Sequence, residues 1–259
     1  MSTILFDKII FGPIKSRRLG ISLGVNLLPA DGKLCSFNCI YCECGLNEER
    51  RTQSKLPSRC EVREALEQKL VAMKAEGITP DVITFAGNGE PTMHPEFDGI
   101  IDDTIEIRNR IFPGTRIAVL SNSTMLHKES VCNALNKIDD NILKLDSVLD
   151  SRIQQVNVPN SPSFSFSELL KQLVRFNGNL IIQTMFLKGE IDGKSVDNTT
   201  DEEVSGWLGA LKQIHPKKVM IYTIDRETPV KGLKKVPKDE LEAIADRVRA
   251  EGFEVTVSV

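Results

Sequence analysis

Residues 34–45, Leu-Cys-Ser-Phe-Asn-Cys-Ile-Tyr-Cys-Glu-Cys-Gly, constrain this chain more than any other stretch. Four of its six cysteines lie there: Cys35, Cys39, Cys42 and Cys44. Thiolates this dense repel one another unless a metal neutralises them, and they are soft ligands. A disulfide framework would spread cysteines along the chain. Cys60 and Cys132 stand apart and read as ordinary thiols.

The spacing narrows the reading. Cys35, Cys39 and Cys42 form C-x3-C-x2-C. Three ligands on one loop hold three irons of a [4Fe–4S] cube and leave the fourth open to a small molecule. A four-cysteine cluster usually only carries electrons. Cys44 as a fourth ligand would give a closed iron–sulfur or zinc site. The single residue between Cys42 and Cys44 argues against that, because the loop must wrap a cube.

With Tyr41 in the aromatic place, C-x3-C-x-aromatic-C resembles the cluster loop of the radical S-adenosylmethionine (radical SAM) enzymes. The resemblance implies a [4Fe–4S] cluster on Cys35, Cys39 and Cys42. Its open iron chelates the amino and carboxylate groups of SAM, and its electron cleaves the sulfonium to release a 5′-deoxyadenosyl radical.

The 259 residues suffice for one α/β barrel-sized domain or two smaller ones, with a large core. A hydrophobic fraction of 41% and a charged fraction of 27% are normal for a globular protein. The net charge of −3 offers no strong basic field, so tRNA as a partner finds no support there. No apolar run is long enough to span a membrane. The N-terminus, Met1-Ser-Thr-Ile-Leu-Phe-Asp-Lys, lacks the basic and apolar regions of a signal peptide. A cytoplasmic, reducing location is expected, and it suits an exposed cluster.

Along the chain, Ile21, Leu23 and Val25 alternate as in a short strand. Ser16, Arg17 and Arg18 precede it, either as a solvated turn or as an anion site, since Arg offers forked donors to phosphate or carboxylate. After the cysteine loop, the polar residues 47–57 read as a loop. Ser58 and Glu61 have capping-box spacing, Val62, Leu66, Leu70 and Met73 make a helical stripe, and Gly77 stops it.

Val82–Phe85 reads as a buried strand that runs into Ala86-Gly-Asn-Gly-Glu-Pro-Thr92. Gly87 and Gly89 permit a sharp turn and close approach to a ligand. Glu90 places a carboxylate at the strand's carboxyl end. The segment resembles the Gly-Gly-Glu-Pro motif that holds the SAM amino group, with Asn88 interposed. Its backbone acceptors tolerate that change. His94 reads as a surface or capping residue, with a catalytic role as the alternative.

Alternation then continues. Residues 97–112 read as a helix, 116–120 as a strand ending at Ser121-Asn122-Ser123, and 141–145 as a strand ending at Asp146. A helix over 166–176 and a strand over 180–186 follow. Thr200-Asp-Glu-Glu203 is a second capping box, opening a helix with Val204, Trp207, Leu208 and Leu211 on one face. Lys218–Thr223 is a strand ending near Asp225-Arg226. Leu241, Ile244, Ala245 and Val248 mark the last helix, and residues 253–259 a final β-like run.

Six or seven such units imply a parallel sheet with right-handed crossovers. No linker-like boundary divides them, so residues 1–259 read as one domain: a partial (β/α)6 TIM-like barrel with short terminal extensions, as the radical SAM resemblance also implies. Ligands sit at the carboxyl ends of the strands in such folds. Glu90, Ser121, Asn122, Lys144, Asp146, Gln183, Tyr222, Asp225 and Arg226 gather at those ends.

Each has a plainer reading beside the functional one. Ser121 and Asn122 cap a turn or, by resemblance, contact the SAM ribose or carboxylate. Lys144 and Asp146 form a buried ion pair or hold the same groups. Gln183 is a satisfied core amide or faces the adenosyl group. Asp225 and Arg226 touch substrate or pair at the surface. Trp207 is core.

A closer resemblance is to the wyosine-base-related branch of radical SAM proteins. It is carried by Gly12-Pro-Ile-Lys-Ser-Arg-Arg-Leu-Gly-Ile-Ser-Leu-Gly-Val25, the cysteine loop, Gly87-Asn-Gly-Glu-Pro-Thr-Met-His-Pro95, Asp197-Asn-Thr199 and Tyr222-Thr-Ile-Asp-Arg226. Members that modify tRNA condense a carbon fragment into a guanine derivative. No flavodoxin-like stretch is read in this chain, so flavodoxin or ferredoxin from outside is the expected reductant. The competing readings are a glycyl-radical activating enzyme, an electron carrier closed by Cys44, and a structural zinc protein.

Overall fold

The computed structural model describes residues 4–16, 18–48 and 54–259. Arg17, one of the two arginines of the anion-site reading, lies outside the described residues, as do residues 1–3 at the N-terminus and 49–53 of the polar loop.

The chain opens with an antiparallel pair, β1 (Ile10–Ser16) and β2 (Gly20–Val25). The elements that follow are α1 (Arg59–Ala75), β3 (Val82–Phe85), α2 (Phe97–Ile111), β4 (Arg116–Ser121), α3 (Glu129–Asn136), β5 (Asp140–Lys144), α4 (Asp150–Val156), α5 (Phe166–Val174), β6 (Ile181–Ile191), β7 (Lys194–Asp197), α6 (Asp201–Ile214), β8 (Lys218–Thr223), β9 (Leu233–Lys235), α7 (Lys238–Ala250) and β10 (Val255–Ser258). Strands β2, β3, β4, β5, β6, β8 and β10 pair in parallel in that order, with β1 on the outer edge of β2. The sheet is not closed, so this is the expected partial barrel. No helix among the described residues is long and apolar enough to cross a membrane.

Side-chain alternation along the strands sorts the interior. Ile83, Phe85, Ile117, Val119, Leu143, Ile182, Val219 and Ile221 face the helices in the main core. Val82, Ala118, Ile142, Ile181 and Met220 face inward and, with Leu19, plug the amino-terminal end. Two residues further along lie Thr84, Leu120, Lys144, Gln183 and Tyr222, one layer above the plug. The functional layer is thus the polar continuation of an apolar one.

The helical stripes fall as expected. Ser58 accepts from the Glu61 N–H and Glu61 returns the bond, while Val62, Leu66, Leu70 and Met73 are all buried. Thr200 likewise caps α6, but the second box closes on one side only. The Glu203 carboxylate instead accepts from Ser147 Oγ at 2.7 Å and Arg152 Nε at 3.1 Å, tying α6 to the β5–α4 connection. Trp207 is buried against Phe186, ring edge to face, with centroids 5.4 Å apart.

Two departures have clear causes. Strand β1 carries Gly12 and Pro13, which suit an edge and weaken any strand pattern. Strand β6 runs past residue 186 to Ile191, because Asp192 and Gly193 both take positive φ and turn the chain into β7. Together with β9, this makes a small antiparallel flap beside the barrel mouth.

Helices α1 and α2 are joined by Asp103, which accepts from Arg59 at 2.6 and 2.8 Å and from Arg63 at 2.9 Å. The Arg59 hydrogen bonds, outweighing burial, hold the Asp103 carboxyl below its usual range. Its folded value lies below the unfolded value of about 3.9, so its stabilisation is full above that pH and is lost as pH falls through the folded value. Asp103→Asn is expected to lower the urea midpoint at pH 7 and to match the wild type progressively as pH drops below about 4. An equal deficit at every pH would contradict this.

Candidate active site

The cysteine loop folds over the carboxyl end of the barrel. It is bridged to the glycine segment through Leu34 and Gly89, with Leu34 N–H donating to Asn88 O at 2.9 Å and Glu90 N–H to Leu34 O at 3.1 Å. These bonds explain the glycines. Gly89 has φ +138°, and a Cβ there would stand 1.9 Å from Leu34 O. Gly87 has φ +148°, with Asn26 Oδ1 2.4 Å from the same virtual atom. No other residue type fits without moving the loop at Leu34, for Gly89, or the Asn26 side chain, for Gly87.

Cys35, Cys39, Cys42 and Cys44 line one cavity of 270 Å³. The thiols surround a space rather than a point. Among the described residues, no three His, Cys, Asp or Glu side chains are placed to hold a single metal ion. Three of the sulfurs each meet a nitrogen donor. Asn122 Nδ2 is 3.5 Å from Cys35 Sγ, Asn157 Nδ2 is 3.6 Å from Cys39 Sγ, and Lys33 hydrogen-bonds Cys42. Cys44 behaves differently, with its own S–H donating to Gly87 O at 3.3 Å.

The electrostatics follow the same division. Burial, then the Glu90 charge, pushes the Cys35 thiol up to about 12. Burial lifts Cys39 to about 11. Interaction with the neighbouring Cys44 draws Cys42 down, aided by the Lys33 charge against the cost of burial, and raises Cys44 in turn. Lys33 is 4% exposed and donates to Gly45 O at 2.7 Å. Burial opposes its charge, but Cys42, Cys35 and Cys39 outweigh it and raise its value.

Glu90, Ser121 and Asn122 form one buried unit. The Glu90 carboxylate accepts from Ser121 Oγ at 2.8 Å, Asn122 N at 2.6 Å, Thr92 N at 3.1 Å and the Thr92 hydroxyl. Burial raises its value even against these four donors. Tyr41, Lys144 and Asp146 form a second unit. Asp146 Oδ2 accepts from the Tyr41 hydroxyl, from Asn157 Nδ2 at 2.7 Å and from Lys144 Nζ at 3.3 Å, while Oδ1 accepts from Met185 N at 2.9 Å. Lys144 also donates to Tyr41 Oη at 2.6 Å. Burial opposes its charge, but Asp146, Tyr222 and Cys39 together outweigh it and its value rises.

Tyr41, Gly87, Gly89, Glu90, Ser121, Asn122, Lys144, Gln183, Asp225 and Arg226 line the cavity with the cysteines. Two expected residues stand behind it. Asn88 turns inward, exchanging hydrogen bonds with the Phe6 backbone and donating to Pro29 O. Asp146 supports Tyr41 and Lys144 from below. Arg226 pairs with Glu43 at 2.7 Å. His94 is buried, with its ring nitrogens bonded to Pro57 O and Glu96 N, away from the cavity.

Sequence reading passed over Lys33, Asn157 and Asn198. Asn198 is 1% exposed and holds Leu187 N, Met185 O and Asp146 O. Only Asn198 carried a signal, through the matched Asp197-Asn-Thr199.

No family model matches the chain. It is 30% identical over 238 residues to a UPF0026 protein of Helicobacter pylori, covering 90% of this chain and 71% of that one. It is 32% identical over 244 residues to a UPF0026 protein of Methanocaldococcus jannaschii, covering 90% and 68%. The chain belongs to the UPF0026 family. It is also 29% identical over 243 residues to a GTPase Obg of Brachyspira hyodysenteriae; these are 92% of this chain and about a third, 33%, of that relative's length.

Among solved structures, a radical SAM methyltransferase from Sphaerobacter thermophilus matches with a TM-score of 0.65 at 15% identity, over 92% of this chain and 65% of that one. Streptococcus suis SuiB bound to S-adenosylmethionine matches at 0.63 and 14%, over 88% and 49%. TYW1 with a lysine-pyruvate adduct bound matches at 0.61 and 15%, over 88% and 73%. The fold is that of the radical SAM enzymes.

Gly89→Ala is expected to cost at least about 2 kcal/mol in urea unfolding, from backbone strain plus the Leu34 clash. A stability equal to the wild type would show that the loop accommodates a Cβ.

Proposed function

We propose that this chain is a radical SAM enzyme acting as one domain over residues 1–259. The observation that carries the reading is the division among the thiols. Cys35, Cys39 and Cys42 each have a nitrogen donor at the sulfur, as ligand thiolates require, whereas Cys44 is itself a donor. Thiols around a cavity suit a polynuclear cluster better than a tetrahedral zinc ion. Cys35, Cys39 and Cys42 would hold a [4Fe–4S] cluster, which would supply the electron for reductive cleavage of S-adenosylmethionine to a 5′-deoxyadenosyl radical.

The chain's residues then position and shield. The backbone at Gly87 and Gly89, shaped by Asn88 behind it, offers oxygen acceptors to the SAM amino group. Glu90 spends its carboxylate on Ser121 and Asn122, fixing Asn122 between Cys35 and the cavity. Lys144, steadied by Asp146 and Tyr41, presents positive charge to the SAM carboxylate or ribose. Gln183 faces the adenosyl group. Asp225 and Arg226 stand at the mouth as substrate contacts. An external flavodoxin or ferredoxin is the reductant this scheme requires.

The test is anaerobic. Protein reconstituted with iron and sulfide, reduced and given SAM, is expected to form 5′-deoxyadenosine, detected by mass spectrometry, and Cys39→Ala to form none. An intact reduced cluster that neither yields the product nor changes its spectrum with SAM would defeat the reading.

Lys33 is the cation buried among the thiols. Lys33→Met is expected to make the cluster harder to reduce, seen as a more negative midpoint in a redox titration followed by electron paramagnetic resonance. An unchanged midpoint would assign Lys33 to holding Gly45 alone.

A further inference from the structure

We propose that Arg18 anchors a carboxylate or phosphate group of a small-molecule substrate, held in a second chamber of the barrel beside the cysteine loop. The proposal rests on the radical SAM reading for the chemistry done there, but not for the binding.

The second chamber has a volume of 460 Å³. That is within the roughly 300–1,000 Å³ range of small-molecule sites. Leu19, Ile142 and Met220 of the amino-terminal plug form its floor. Arg18, Leu120 and Gln183 line both this chamber and the cysteine cavity, so the two adjoin along that wall. A molecule in the second chamber lies next to one in the first.

Among the described residues, three other cations around the cysteine loop and the mouth have oxygen acceptors, while Lys15, exposed, adds positive charge to the lining of the second chamber. Lys33 has Gly45 O, Lys144 has Tyr41 and Asp146, and Arg226 has Glu43. Arg18 differs. Its guanidinium lies over the Tyr222 ring, 4.5 Å from the centroid, and its Nη1 is buried with no hydrogen-bond partner. The stacking fixes the plane of the group without using its in-plane donors. Ser16 Oγ holds the turn that presents it, accepting from the Arg18 N–H at 3.3 Å and the Leu19 N–H at 3.2 Å.

A guanidinium stays charged at any working pH, and a buried donor without an acceptor is costly. Neither carboxylate shared by the two cavities bonds that nitrogen. Glu43 is taken by Arg226, and Asp225 already has a partner. The acceptor that completes the site is therefore a ligand oxygen, and the planar fork favours an anion with two oxygens to offer. Beyond Arg18 the lining mixes apolar side chains, Phe11, Leu120 and Met220, with the neutral polar groups of Ser22, Thr84 and Gln183. The substrate class is a small organic acid or phosphate ester with a less polar body.

Cluster-loaded protein with SAM bound, as wild type, Arg18→Gln and Arg18→Lys, would be titrated calorimetrically with inorganic phosphate and with oxalate. The wild type is expected to bind at least one of them. Arg18→Gln should weaken that binding tenfold or more, and Arg18→Lys less, because a point charge replaces a fork. SAM affinity, measured separately, should change by less than about twofold. Binding of neither probe by the wild type would overturn the proposal, as would equal binding by Arg18→Gln. A tenfold loss of SAM affinity in Arg18→Gln with anion binding intact would also overturn it, assigning Arg18 to the SAM carboxylate. 5′-Deoxyadenosine scored in the same samples separates the two claims. Arg18-dependent anion binding without that product would leave the anion site standing and remove the radical chemistry.

Discussion

The buried carboxylate of Asp146 is the contact on which the site depends. Its side chain is fully shielded from solvent, and it gathers groups from four places. Tyr41 comes from the cysteine loop, Lys144 from β5, Asn157 from the end of α4 and Met185 from β6. A buried charge is tolerable only when its lone pairs are filled and a counter-charge is near. Meeting that condition forces the cysteine loop down onto the barrel. Asn157 then carries the arrangement to the cysteine motif, since the same amide nitrogen lies near Cys39.

Glu90 does the equivalent on the opposite side. It binds β4's end through Ser121 and Asn122, and Asn122 reaches Cys35. Two buried carboxylates thus brace the loop from two sides, each passing through an asparagine to a cysteine. Lys33 supplies the third brace with positive charge. The loop is rigid in the sense that its sulfurs are positioned by satisfied hydrogen bonds rather than by regular secondary structure.

The cavities are a consequence of barrel layering. Apolar side chains fill the layer at the strands' amino ends, and mostly polar ones follow two residues later. Thr84 and Gln183 line the chamber one layer above Val82 and Ile181 of the plug. The chamber is therefore built into the alternation of each strand, and its walls are strand residues with fixed direction. Arg18 reaches it from the β1–β2 turn, the one edge of the open sheet that carries an antiparallel strand.

The sequence by itself determined the α/β order, the capped helices, the apolar stripes of α1, α6 and α7, and the cysteine spacing. Each of these is a local pattern with a fixed period or offset, so one chain suffices to read it. It also placed Glu90, Ser121, Asn122, Lys144 and Gln183 at strand ends, since strand direction fixes where a βα junction lies. Tertiary structure alone decided the rest. That Asn88 turns away from the cavity follows from its contacts with Phe6 and Pro29, dozens of residues distant. Lys33 and Asn157 had no periodicity to mark them as partners of the site, and Arg18, legible as an anion-site candidate from its forked donors, had nothing to place it at the barrel mouth. Their roles come from where long-range packing leaves a charge or an amide, and a hydrogen bond between residues a hundred apart leaves no trace in the local sequence.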